Sequence, residues 1–156
     1  MEVPSDETTY WCEVKRFPDH VISRKHHVIK YEGLISPETD GIVHHMEVFH
    51  CVNETSVKAK SFRGPCKVFG AERPEGLEDC RQVIGAWAMG AIVSHKKSDT
   101  YQNKLELISL FQPLTYPEEA GYLIGGDGYS PYIMMEMHFN NPGHIKGSVA
   151  SCDVYA

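Results

Sequence analysis

Short apolar stretches alternate with polar residues along this chain, and turn residues interrupt them roughly every ten positions. The clearest alternation runs through Thr8 to Arg16, His26 to Glu32, Ile42 to Cys51, Val83 to Met89 and Tyr132 to Phe139. A period of two places successive side chains on opposite faces, so each of these stretches is read as a β-strand. Breakers separate them: Phe17-Pro18-Asp19, Ser36-Pro37, Asp40-Gly41, Arg63-Gly64-Pro65, Pro74-Glu75-Gly76 and Gly125-Gly126-Asp127-Gly128. The pattern predicts an all-β, antiparallel sandwich or barrel. Leu77, Cys80, Ile84 and Trp87 also fit helical spacing, so periodicity leaves that stretch open between a helix, a strand, and a turn of helix leading into a strand. Residues 92 to 114 differ in character. They are polar and poor in breakers, then end in Leu-Glu-Leu-Ile-Ser-Leu-Phe, which reads as a long loop with a short amphipathic stretch.

Size and charge narrow the function. A chain of 156 residues suits one domain with a real core. A net charge of −6 is a poor match for nucleic acid, which asks for clustered Lys and Arg. No stretch has the eighteen or so apolar residues of a membrane span. Met1 to Glu7 has no apolar core of a signal peptide. Cysteines stand at 12, 51, 66, 80 and 152, with no Cys-x-x-Cys pair, which points to disulfides in an oxidising compartment rather than to a zinc ribbon. Asn53-Glu54-Thr55 is an N-glycosylation sequon and points the same way. A secreted-type composition without a secretion signal leads to the expectation that the chain is a fragment, or an isoform that begins inside a domain.

Nine histidines is a high count, and they are grouped. His26-His27 and His44-His45 are adjacent pairs, and His138 lies in the strand-like run Met135 to Phe139. Three imidazoles make a plausible copper or zinc site. Adjacent histidines on a flat strand point to opposite faces, so both reach one ion only if the strand twists or bulges, or if the two rings use different nitrogens. Otherwise one ring of a pair is in the core and the other in solvent. Arg24-Lys25 beside His26-His27 would oppose a cation, so His44-His45 is the better ligand pair.

The wording of the chain then resembles a known family. Glu7 to Cys12, Lys25 to Glu32 and Val43-His44-His45-Met46-Glu47-Val48-Phe49-His50-Cys51 look like successive motifs of the copper type II, ascorbate-dependent monooxygenase N-terminal domain. Gly64-Pro65-Cys66, Cys80-Arg81, Gly85 to Gly90, Tyr116 to Gly121 and Glu136 to Pro142 continue it in order, over about nine-tenths of the chain. The closest wording is that of the dopamine β-hydroxylase, tyramine β-hydroxylase and monooxygenase-like branch. The resemblance implies an antiparallel, jelly-roll-like β-sandwich. It implies that His44, His45 and His138 bind one electron-transfer copper, and that Cys12 pairs with Cys66 and Cys51 with Cys80. It implies ascorbate as reductant, dioxygen and a phenylethylamine-type amine as partners, and a location in the secretory pathway. Cys152 is left odd.

The departures carry expectations of their own. Relatives join the Trp-Ala strand to the Tyr-Pro-Glu-Glu turn by a much shorter link, so 92–114 is expected to be an insertion. The family's second copper, on a following domain, has no candidate ligands here. The chain, 1–156, is therefore expected to be one domain, incomplete at its C-terminal end, with strand edges open to self-association. It is expected to hold no catalytic residue of its own and to be inactive alone. Two other functions stand beside this one: a truncated, non-enzymatic copper-binding or interaction module, and a three-histidine zinc hydrolase using metal-bound water. Met46, Met134, Met135, Met137, Trp11 and Trp87 are read as core fillers. Asp127 and Glu136 are either supports for an imidazole or a turn residue and a solvated one.

Overall fold

A computed structural model describes residues 2–33, 35, 39, 41–52, 60–66, 75–88 and 114–150. Asn53, Cys152 and residues 92–113 of the expected insertion lie outside the described residues.

The long alternating stretches are strands. They are β1 (Thr8–Arg16), β4 (Val43–Cys51), β6 (Cys80–Ala88) and β9 (Tyr132–Asn140). With the short β5 (Arg63–Pro65) they form one antiparallel sheet in the order β5-β1-β9-β4-β6. A short α1 (Asp19–Ile22) follows β1. The expected His26-to-Glu32 strand is divided into β2 (His26–Val28) and β3 (Lys30–Tyr31). β2 pairs with β8 (Tyr122–Ile124) and β3 with β7 (Leu114–Thr115), while Ile29 between them accepts a hydrogen bond from Tyr116 N at 2.9 Å. The ambiguous 77–87 stretch takes the third of its alternatives. A 3₁₀ turn, Leu77–Asp79, leads directly into β6.

Alternation decides which side chains meet. On the inner face of the large sheet, Val48, Ile84 and Ile133 pack with Phe17, Val21 and Ile124, and the partly buried Val28, Tyr31 and Tyr122 close over them. Met46, Trp87, Met135, Met137 and Phe139 continue that core with Val3, Ile42, Val43 and Ala150. The two short pairs, β2-β8 and β3-β7, thus form the second layer of an all-β sandwich. The layers come close at Gly85, where an added Cβ would lie 2.6 Å from the Tyr31 ring, so only glycine fits. Trp11 packs against the same core, so both tryptophans are core residues.

The outer face divides into two ends. At one end Cys12–Cys66 and Cys51–Cys80 are disulfides, the pairing that the resemblance implies. They pack with Val14, Leu77 and Met134 in a cluster where every cysteine is almost fully buried. The other end carries the histidines.

Among the described residues the edge strands of the sheet are β5 and β6. β5 is short and offers Arg63 and Pro65. β6 carries extra residues at Ile84 and Arg81, where its register against β4 shifts.

Candidate metal centre

His138 stands on β9, flanked by β1 and β4. Its cross-strand partners are Tyr10 on β1 and His45 on β4. Those three side chains share the outer face because paired residues of an antiparallel ladder point the same way. His44 joins them by a local irregularity. Val43 pairs with Phe139 and His45 with His138, so His44 is one residue too many for its partner strand. This bulge is what lets two adjacent histidines face the same side.

The resulting geometry is tight. His45 Nδ1 lies 3.1 Å from His44 Nδ1 and 3.2 Å from His138 Nδ1. One donor nitrogen from each of the three rings falls within a 4.8 Å group. Two imidazole nitrogens on one ion, each bonded at ~2.0 Å with ligand angles near 90–120°, would be roughly 2.8–3.5 Å apart. The observed spacings lie in that range. The Tyr10 ring lies parallel to His138, with centroids 4.4 Å apart and planes at 4°. Burial, and then the neighbouring His45 and His44, push the His138 pKa below its ordinary 6.5. The ring therefore stays neutral and keeps the lone pair that a metal needs.

A second histidine on β4 shows the contrast. His50 is 3% exposed and points to the inner face. Its Nε2 donates to the Ser130 carbonyl at 2.8 Å, and its Nδ1 accepts from the Tyr122 hydroxyl at 2.9 Å. Both nitrogens are used, so hydrogen bonding between the layers accounts for His50. Burial, with Tyr116 and Tyr129 nearby, raises the Tyr122 pKa and keeps that hydroxyl protonated as the donor. His138 is different. Its Nε2 is buried with no hydrogen-bond partner among the described residues, and its Nδ1 faces other imidazole nitrogens. Structural hydrogen bonding does not explain three Nδ1 atoms facing one another, whereas a cation among three lone pairs does.

The other sequence candidates fall elsewhere. His26 lies on the second layer with its ring against the His20 carbonyl at 3.2 Å, and His27 is exposed. Met46, Met135 and Met137 lie in the inner core, and Met134 in the disulfide cluster. Asp127 is in the turn after β8. Glu136 stands one rung along β9 from His138, opposite Cys12 and Glu47, and 3.7 Å from Cys12 Sγ. Cys12, Cys66 and Glu136 also cluster, but both sulfurs are committed to a disulfide and offer no thiolate. Sequence reasoning gives Tyr10 no role; its place two residues before Cys12, on the same face, is the available signal.

Residues 1–98 and 111–146 match the copper type II ascorbate-dependent monooxygenase N-terminal domain. The chain belongs to that family. All three clustered histidines lie inside the matched residues of this monooxygenase domain, and the match is interrupted over 99–110. Dopamine β-hydroxylase of Homo sapiens is 38% identical over 147 residues, covering 94% of this chain and 20% of that protein. Tyramine β-hydroxylase of Caenorhabditis briggsae is 35% identical over 145 residues, covering 93% of this chain and 20% of the relative. The DBH-like monooxygenase protein 1 of Gallus gallus is 29% identical over 149 residues, or 96% and 20% of the two chains. The chain thus spans about a fifth of the length of the curated relatives it matches. Among the described residues no helix is long and apolar enough to cross a membrane.

Proposed function

We propose that this chain is the copper-binding, electron-transfer half of an ascorbate-dependent monooxygenase that hydroxylates a phenylethylamine-type substrate, of the dopamine or tyramine β-hydroxylation class. The observation that carries the reading is the convergence of three Nδ1 atoms, from His44, His45 and His138, on one open sheet face within the family-matched residues. Copper held there would supply a one-electron couple, fed by ascorbate. The chain's own residues do the rest. β4 and β9 fix two imidazoles on one rung, and Tyr10 sets the plane of the His138 ring. Burial and the neighbouring rings keep His138 neutral, and the inner methionine and tryptophan core holds the strands from behind.

On this reading the polypeptide contributes no residue to dioxygen activation and does not hydroxylate amines alone. The second copper, its domain, and the amine and dioxygen sites belong to sequence outside this domain. The stretch 92–114 is an insertion, Asn53 carries a glycan, and the protein works in the secretory pathway. Self-association through strand edges would use Gly85–Ala88 of β6, the part beyond its bulges.

The test is copper stoichiometry and the Cu(II) paramagnetic spectrum of the purified chain beside His138→Ala. One copper per chain with nitrogen ligands, weakened in the variant, is expected. A folded chain that takes up no stoichiometric copper would overturn the reading and favour a non-enzymatic interaction module. Turnover of dopamine or tyramine by the isolated chain with ascorbate would overturn its inactivity alone.

A further inference from the structure

The three histidines are not equivalent. His45 and His138 are a directly opposed cross-strand pair. His45 has a second register partner, Ala88 on β6, and His138 has Tyr10 on β1, so each is held from both sides of its strand. Both rings are half-buried, and both lie against Tyr10, His138 at 4.4 Å and His45 at 6.0 Å between centroids. His44 is held differently. It has no register partner in the ladder with β9. Its side chain is exposed, and its ring contacts are to the other two histidines.

The two oxidation states of copper ask for different things. Cu(II) favours a tetragonal set of ligands, so losing one of three imidazoles is costly to it. Cu(I) has a filled d shell, has no geometric preference from its d electrons, and is well served by two imidazoles. A rigid pair with a looser third ligand is thus a platform that one state needs in full and the other needs only in part.

We propose that His44, placed by the bulge, is the oxidation-state-selective ligand of this centre. His45 and His138 form a site sufficient for Cu(I), and His44 completes it for Cu(II). The inference rests on the three-histidine reading above. It makes His44 the ligand that sets the balance between the two states, and the exposed side of the site the route by which the ion enters.

The experiment is competition titration of the full chain with each oxidation state. Cu(I) is read with a chromophoric Cu(I) chelator under ascorbate, and Cu(II) with an amino-acid competitor and the paramagnetic spectrum. The variants are His44→Ala, His45→Ala and His138→Ala, with thermal unfolding to confirm that each folds. His44→Ala is expected to keep one Cu(I) within about tenfold of the wild-type affinity and to weaken Cu(II) by about a hundredfold or more. His45→Ala and His138→Ala are expected to weaken both states by about a hundredfold or more. His44→Asn, a short polar residue well suited to irregular backbone, should behave as His44→Ala and guards against loss of the bulge. If His44→Ala loses Cu(I) as completely as the other two, or retains Cu(II), the inference fails while the site stands. A wild-type chain that binds neither state overturns the three-histidine reading itself.

Discussion

The two faces of the large sheet treat histidine in opposite ways. On the inner face His50 is buried and hydrogen-bonded through both nitrogens, and it joins β4 to Tyr122 of the second layer. On the outer face His138 is half-buried, with one nitrogen unpartnered among the described residues and the other facing His45. The residues lie on neighbouring strands, built from the same kind of alternating sequence. Burial alone therefore does not separate a structural histidine from a metal ligand. The use of its two nitrogens does.

The outer face also has a closed end, and the largest effect is expected there. Cys12→Ser with Cys66→Ser removes a crosslink spanning 54 residues and should lower stability by about 2–5 kcal/mol, read by denaturant unfolding. Copper stoichiometry measured where the variant is still folded should stay at the wild-type value. Loss of copper from a folded variant would show that the two ends of this face are not independent.

His138→Ala should weaken Cu(II) by about a hundredfold or more while changing the stability of the copper-free chain little. A large loss of stability without copper would mean that His138 is as structural as His50.

His50→Leu should do the reverse. It strands the Tyr122 hydroxyl and the Ser130 carbonyl, so stability should fall by about 1–3 kcal/mol, with copper affinity unchanged. A variant as stable as wild type would break the contrast between the faces.

The smallest effect is on pH. In the copper-free chain the His138 pKa is below its ordinary 6.5, so the unfolded chain takes up the proton first. That contribution to stability is fully present above the unfolded value and declines as pH falls below it. Unfolding measured from about pH 7 to about pH 5 should show a shallower slope for His138→Ala than for wild type. Equal slopes would mean that the ring is not held neutral by its surroundings.

The long strands were legible because nine-residue alternation is a strong signal: β1 is observed with the predicted bounds, and β9 runs one residue further. β5, β7 and β8 were not, since strands of two or three residues depend on their partners for definition. The division of His26 to Glu32 was hidden because Ile29 keeps the alternating pattern while the chain changes partner. For the site, the sequence stated a geometric demand, that adjacent histidines need a twist, a bulge or different nitrogens, but not which solution applies. The structure uses a bulge, and all three rings converge through Nδ1. His50 was readable in principle. Counting by twos from Met46 and Val48 puts it on the buried face, although the adjacent His44-His45 pair draws attention first.

The bulge also says how separable site and scaffold are. Shortening the chain by the single residue His44 would leave Val43 opposite Phe139 and His45 opposite His138, as now. The ladder would become regular, with no side chain changing faces, and the sandwich would keep its core. This position is therefore a seam at which the third ligand of the site can be gained or lost by one codon without redesigning the fold.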